Sequence, residues 1–322
     1  MNTLFEIIVD GDDSENGVAA AEAALDEIVR IETVLSRFDP ASEVARVNRE
    51  AHQHPVLVSY ELLEVLETCR TYWEKTSGYF DITAGSVGQS AAELHSAGSV
   101  DFPDVSQNDR APVLIKILPS LIRQHVYDNI INSVARKVSF AKPGLRLDFG
   151  AFGKGYALDC AARLLKENGV RNAVLHGGTS SVLAIGNSAR IGLRNPWNER
   201  EEIESVLLEN QGLSSSAVFH QGQKTSDIVD PHDRTPLRDE AACVVIGATA
   251  AVAEVYSTAL LCMGRERAEE FCAENVPSDL QVMWIDKMGK VGRVTPCTPL
   301  VLNDDGAHGV TRPTFHWLAK TL

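Results

Sequence analysis

Hydrophobic and polar positions follow two different periods along the chain. Residues 3–9 are rich in β-forming side chains in loose alternation, which predicts a strand. Apolar side chains recur at helical spacing in three longer segments, and this predicts helices over 18–35, 59–75 and 249–263. Short apolar runs that predict further strands are NAVLH, SVLAIG, ARIGLR, ESVLLE, ACVVIG and QVMWID. Because the order is not a regular βαβα alternation, we expect an α+β fold with largely antiparallel or mixed sheet layers and packed helices.

Single residues refine these boundaries. Asp39 and Pro40 predict the N-cap and first turn of a short helix that extends through Val47. The segment LRLDFG, residues 145–150, predicts a strand that leads into a glycine-rich turn, and a helix is predicted after that turn. Gly169 is expected to end that helix, because glycine readily adopts the left-handed conformation found there.

The organisation of the chain is predicted to be simple. A length of 322 residues allows two domains, but neither an internal repeat nor a low-complexity linker divides the sequence. We therefore expect one domain over residues 1–322. Residues 85–111 are mostly small and polar, and they predict a mobile insertion within that domain.

Charge and composition exclude several classes of function. The chain carries 30 Lys and Arg against 44 Asp and Glu, a net charge of −14, so it lacks the basic surplus of a nucleic-acid binder. Its apolar runs are too short for a membrane span. The first residues lack Lys and Arg, unlike a signal peptide, and the six cysteines show no CxxC spacing. A reduced, cytoplasmic protein is expected, or a periplasmic one if a leader has been removed.

The segment Gly150–Gly155 is the strongest local signal for ligand binding. Three glycines in six residues allow backbone N–H groups to approach a phosphate, and a helix N-terminus follows. The known phosphate motifs do not match, because Gly155 stands where a P-loop has Ser or Thr and Leu158 where a dinucleotide fingerprint has Gly or Ala. A phosphate loop and a tight strand-to-helix turn both remain open.

Acidic residues offer two further candidates. Glu254 and Thr258 are four residues apart, so they share one helix face and could supply oxygen ligands to Mg²⁺, or they could be ordinary helix residues. Asp227, Asp230 and Asp233 form either an acidic cluster in a site or a rigid turn. The nine histidines show no metal-binding spacing.

Six segments occur in an order that is similar to the motifs of one family. They are Met1-Asn2-Thr3, LSRFDPASEVARVN, TSGYFDIT, LDFGAFGKGYALD, DIVDP and AEVYSTALLCMG. Together they resemble the ApbE family, the FAD:protein FMN transferases, over nearly the whole chain. The segment LDFGAFGKGYALD is the most specific match, because it resembles the family pattern D-x-G-G-x-x-KGYA-x-D.

The resemblance implies an activity and its partners. Family members bind FAD and Mg²⁺ and move the FMN moiety of FAD onto a Ser or Thr hydroxyl of a target protein, which releases AMP. An acceptor protein is therefore an implied partner. Two alternatives remain open: a relative that binds flavin or nucleotide without catalysis, and a FAD pyrophosphatase that gives FMN and AMP.

The resemblance also implies roles for individual residues. Those implied to contact the cofactor are Met1, Phe38, Tyr79, Phe80, Asp81, Asp148 and Lys154. Those implied to hold the metal are Ala151 through its carbonyl, Glu254 and Thr258. Asp227 stands where the family has a histidine that acts as a base or steers the pyrophosphate.

The chain departs from the family motifs at several of these positions. Asp227 replaces the histidine, and Glu254, one methylene longer, replaces an aspartate. Residues 214–219 read SSSAVF where the family has an ATSGDY-like stretch, and Thr179 follows the Gly-Gly pair in place of an acidic residue. Because the changes concentrate in the implied site, the sequence predicts a divergent member.

Overall fold

A computed structural model of the protein describes residues 3–10, 15–85, 131–132, 136–140, 143–218, 226–294 and 315–321. Met1 and the predicted insertion, apart from Gly85, lie outside the described residues. The chain forms two compact units: the first contains Met1–Thr33, Phe149–Val229 and Pro236–Leu322, and the second contains Val34–Asp148 and Asp230–Thr235. The expectation of one domain stays a prediction.

The elements described are numbered in chain order. The strands are β1 (Leu4–Asp10), β2 (Val56–Leu57), β3 (Ile131–Asn132), β4 (Lys137–Val138), β5 (Ala173–Gly177), β6 (Ser181–Ile185), β7 (Ala189–Asn195), β8 (Asn198–Leu208), β9 (Gly212–Ala217), β10 (Ala241–Gly247), β11 (Gln281–Asp286), β12 (Val291–Val294) and β13 (Phe315–Thr321). The helices are α1 (Glu15–Leu35), α2 (Glu43–Glu50), α3 (Tyr60–Lys75), α4 (Gly153–Glu167), α5 (Ala250–Met263) and α6 (Arg265–Asn275).

An antiparallel sheet forms the centre of the first unit. Its strand order is β12-β11-β10-β9-β6-β5-β1-β13, and every neighbouring pair is antiparallel. The β7–β8 hairpin shares a buried apolar cluster with the sheet, while α4 packs on β5 and β6 and α5 packs on β9 and β10. The prediction of an α+β fold with antiparallel sheet layers is confirmed.

The sequence of the buried helix α5 explains where the helix begins and why it is buried. The Thr249 hydroxyl accepts a hydrogen bond from the Val252 N–H at 3.2 Å and thereby caps the first turn. Most of the following side chains are apolar and buried, because the helix packs against both the sheet and α4. None of the described helices is long and apolar enough to cross a membrane.

The second unit contains α2, α3 and a small antiparallel sheet in the order β2-β4-β3. The prediction that Asp39 and Pro40 open α2 is wrong, because this helix begins at Glu43. Ser42 is its N-cap and accepts a hydrogen bond from the Ala45 N–H at 3.0 Å. Asp39 instead accepts from the Ala41 N–H at 2.9 Å, which closes a turn one step before the helix.

The prediction of a strand over 145–150 is also wrong. A side chain makes the backbone hydrogen bonds that a neighbouring strand would have made. The Asn48 amide donates to the Leu147 carbonyl at 2.9 Å and accepts from the Leu147 N–H at 2.7 Å. The next N–H, that of Asp148, donates to the Ile82 carbonyl at 2.7 Å. The hydrogen-bonding groups of this backbone therefore have partners, although the segment does not pair with a neighbouring strand. Gly169 follows α4 with φ +83°, as expected for the residue that ends it.

Candidate functional site

The start of α4 lies directly against the start of α5. A methyl group placed on Gly155 would lie 2.5 Å from the Ala250 carbonyl oxygen and 2.6 Å from the Ala251 nitrogen. Such distances exclude any larger residue unless a backbone moves, so the glycine permits the two helices to approach this closely. The glycines predicted to cradle a phosphate thus have a packing role as well.

Asp159 joins the two helices one turn later. Its carboxylate accepts hydrogen bonds from the N–H groups of Ala250 and Ala251, at 2.9 and 3.0 Å. Burial raises the pKa of the Asp159 carboxyl, the two N–H bonds oppose that rise, and the negative charge of Glu254 adds to it. The sequence reasoning assigned no role to Asp159, although it is the final residue of the most specific motif.

Lys154 and Glu254 form an ion pair at this helix junction. Glu254 lies on α5 and is only 2% exposed. Its Oε1 pairs with the Lys154 ammonium, and its Oε2 accepts from the Gly155 N–H at 2.6 Å. The ammonium also donates to the Gly150 carbonyl at 3.4 Å. The structure therefore brings together two of the predicted site residues.

A row of hydroxyl groups continues the site along α5. The Ser216 Oγ lies 2.8 Å from the Ser257 Oγ and 3.0 Å from the Thr258 Oγ1. The Ser257 Oγ lies 3.2 Å from the Ser214 Oγ. Ser181, which pairs with Ser214 across the β6–β9 ladder, is fully buried, and among the described residues its hydroxyl has no hydrogen-bond partner. The serines that replace the family stretch thus form a polar strip against α5.

The residues predicted to hold Mg²⁺ do not fit a divalent cation in this arrangement. Both oxygens of Glu254 are already engaged, one of them by a positive charge. The Thr258 hydroxyl lies within hydrogen-bond distance of Ser216, and Ala151, half-buried in the turn before α4, would offer only a carbonyl. Among the described residues, no group of three or more His, Cys, Asp or Glu could hold a metal ion. Mg²⁺ is usually bound through one or two carboxylates together with waters and substrate phosphates, and the carboxylate of Glu254 is already engaged at both oxygens.

The second unit carries most of the residues predicted to contact flavin. Phe38 is 68% exposed, and the Arg37 guanidinium lies 4.5 Å from its ring centre. Arg37 also pairs with Asp148, with 3.1 Å between Nη1 and Oδ2. An exposed aromatic ring beside a fixed cation is well suited to stacking on a flat ligand.

Two of the predicted flavin residues have clear structural partners. Phe80 is buried and packs edge-on against Tyr72, with 6.3 Å between the ring centres. Asp81 accepts hydrogen bonds from the Thr83 N–H and hydroxyl, at 2.7 and 2.8 Å, and so stabilises a turn. Their flavin-contacting roles stay predictions.

Tyr79 has a neighbour that the sequence reasoning missed. The imidazole of His232 lies 4.2 Å from the Tyr79 ring, between centroids, and its Nδ1 lies 3.3 Å from Asp230 Oδ1. The available signal was the position of His232 directly after the DP pair.

Asp227 lies in the first unit, where it is exposed, and its side chain makes no hydrogen bond to a described residue.

Known proteins provide an independent comparison. FAD:protein FMN transferases of Klebsiella pneumoniae (strain 342) and Salmonella typhimurium (strain LT2) are each 25% identical to this chain, over 302 and 287 residues. The alignments cover 90% and 84% of this chain, and 83% and 78% of the relatives.

Solved structures show the same fold. The ApbE protein of Thermotoga maritima has a TM-score of 0.70 and 22% identity, and the match covers 90% of this chain and 93% of that one. The flavin transferase ApbE from Vibrio cholerae has a TM-score of 0.68 and 22% identity, with coverages of 94% and 96%. The profile of the ApbE family matches residues 1–284. The chain therefore belongs to the ApbE family.

Proposed function

We propose that the protein transfers the FMN moiety of FAD to a Ser or Thr hydroxyl of an acceptor protein and releases AMP. The relatives named FAD:protein FMN transferase support this activity. The observation that carries it is the position of the Lys154 ammonium at the start of α4, in the turn that also holds the glycines. A cation and the positive end of a helix dipole at one point favour a phosphate group.

The reaction is a displacement at phosphorus. The acceptor oxygen forms a bond to the FMN-side phosphorus of FAD, the bond from that phosphorus to the bridging oxygen breaks, and AMP leaves with the electron pair. The acceptor hydroxyl releases one proton. Hydrogen-bond donors near the pyrophosphate stabilise the negative charge that develops on the leaving AMP.

Individual residues carry out these tasks. The Lys154 ammonium binds the pyrophosphate, while the Thr258 hydroxyl is a second donor. Asp227 takes the acceptor proton. The flavin contacts follow those implied by the resemblance: Met1, Phe38, Tyr79, Phe80, Asp81 and Asp148. No step is assigned to Mg²⁺, since the donors described at Glu254 do not fit it.

One experiment separates this activity from its alternatives. The purified protein is incubated with FAD and a bacterial protein extract, AMP and FMN are separated by chromatography, and protein-linked flavin is detected on a denaturing gel. AMP together with protein-linked flavin supports the transferase. AMP with an equal amount of free FMN identifies a pyrophosphatase, and bound FAD without AMP identifies a non-catalytic flavin-binding protein.

A further inference from the structure

The carboxylate of Glu254 already has a complete set of partners within the first unit. It is buried on α5, and its two oxygens are divided between the Lys154 ammonium and the Gly155 N–H. A buried carboxylate is strongly unfavourable unless a positive charge and hydrogen bonds compensate it. Lys154 and Gly155 supply both, so the site is satisfied without any added ion.

The length of the glutamate side chain explains how these contacts arise. Glu254 has one methylene more than the aspartate of the family motif, and it extends from α5 to the first turn of α4. There it meets a backbone N–H and a lysine only one residue apart. The close approach of Gly155 to Ala250 holds the two helix starts at the separation that this side chain spans.

A divalent cation at Glu254 would have to break these contacts. It would displace the ammonium from Oε1, or compete with the Gly155 N–H at Oε2 while lying beside the positive charge of Lys154. Two positive charges close together in a buried site repel each other strongly, because little water screens them. The nearby Thr258 hydroxyl and a backbone carbonyl are neutral and cannot offset that repulsion, and both oxygens of the Asp159 carboxylate already accept from the Ala250 and Ala251 N–H groups.

We propose that the Lys154 ammonium takes the place of a divalent cation at Glu254, so that the protein binds the pyrophosphate of FAD without Mg²⁺. The ammonium has three N–H groups, of which Glu254 and Gly150 account for two. The third is the donor for a phosphate oxygen. The identity of the ligand, FAD, rests on the proposed function. The statement that Lys154 replaces the cation does not.

The first test uses Mg²⁺ alone and needs no flavin. A ligand that binds only the folded state raises the melting temperature. Millimolar MgCl₂ should therefore leave the melting temperature of the wild type unchanged. It should raise that of Lys154→Met by about 3–5 °C, because the variant leaves Glu254 free to bind the ion. Lys154→Arg is the matched control, since it keeps a positive charge and should not respond.

A second variant guards against loss of folding. Lys154→Met leaves a buried carboxylate without its cation, so the variant could fail to give a cooperative melting transition. Glu254→Asp keeps both charges but shortens the side chain, and it should gain a response to MgCl₂ by loosening the contacts with Lys154 and Gly155. A rise in the wild-type melting temperature with MgCl₂, or no response in either variant, would overturn the inference.

The second test measures FAD binding by flavin fluorescence, in EDTA and in MgCl₂. The wild-type Kd should change by less than about twofold between the two, whereas the Kd of Lys154→Met should fall about tenfold or more in MgCl₂. A tenfold tightening of the wild type by Mg²⁺ would contradict the inference. If FAD binds in neither condition, the proposed function fails, while the melting test still decides whether Lys154 replaces the cation.

Discussion

Gly155 and Ala250 lie so close that a single added methyl group on the glycine would overlap the alanine carbonyl, 2.5 Å away. The contact joins the first turns of α4 and α5. It sets the position of the Gly155 N–H, which binds Glu254, and of the adjacent Lys154. The packing of α4 against α5 and the positions of the site groups Gly155 N–H and Lys154 therefore depend on the same glycine.

Gly155→Ala should destabilise the protein for this reason. Because the methyl group meets backbone atoms, one helix must shift, and we expect the free energy of unfolding to fall by about 2–3 kcal/mol. Gly153→Ala is the matched control from the same turn, since its methyl group would meet only the Phe149 Cβ at an ordinary 3.7 Å. Urea unfolding followed by circular dichroism measures both. Equal stability of the two variants would contradict the packing role of Gly155.

Phe38→Ala tests the predicted flavin contact of an exposed ring. We expect FAD affinity to fall by about tenfold, because an aromatic stacking partner is lost, with little change in stability. Met288→Ala is the control: Met288 is also exposed, at 81%, and no role in binding is assigned to it. Fluorescence titration of FAD gives both affinities. If Phe38→Ala binds FAD as tightly as Met288→Ala does, the ring does not contact flavin.

Asp227 is tested by two opposite substitutions. An imidazole accepts a proton more readily than a carboxylate near neutral pH, so Asp227→His should raise the rate of AMP release by about tenfold. Asp227→Ala should lower that rate by a similar factor. Initial rates at saturating FAD measure both effects. An unchanged rate in Asp227→Ala would remove the proton-accepting role from this position.

His176 provides a prediction about pH and stability. Burial lowers the pKa of His176, and the nearby Glu6 opposes the shift only in part. The unfolded chain therefore takes up the proton first as pH falls, and the free energy of unfolding should decrease below the usual histidine pKa of ~6.5. His176→Gln should lose less stability than the wild type between about pH 7.5 and about pH 5.5. Urea unfolding at both pH values measures the free energy of unfolding of the two proteins. Equal losses of that free energy would show that His176 does not contribute to the pH dependence of stability.

The sequence predicted helices and strands well where apolar residues dominate, and less well where polar side chains are buried. β9 was missed because GLSSSA contains three serines and resembles a loop. In the fold, Ser214 and Ser216 face hydroxyls on α5, which satisfy them. The polar helix α6 was also missed, since it buries only Ala268 and Cys272.

The site was predictable in its parts but not in its contacts. Helical periodicity placed Glu254 and Thr258 on one face of α5, and the glycine pattern placed Lys154 at a turn. The ion pair between Lys154 and Glu254 depends on how two helices pack, and residues so distant in sequence carry no local signal of it. The same limit explains why the caps provided by Asp159 were not foreseen.

The place of β1 in the central sheet affects how the protein is made. β1 pairs with β5 on one side and with β13 on the other, so that Leu4 lies opposite Thr321. On the ribosome, β1 emerges first among the described strands and β13 emerges last. Until then β1 has an open edge whose N–H and C=O groups can pair with another chain. Completion of the sheet therefore waits until β13 has been synthesised, and nascent chains are exposed to aggregation while that edge is uncovered.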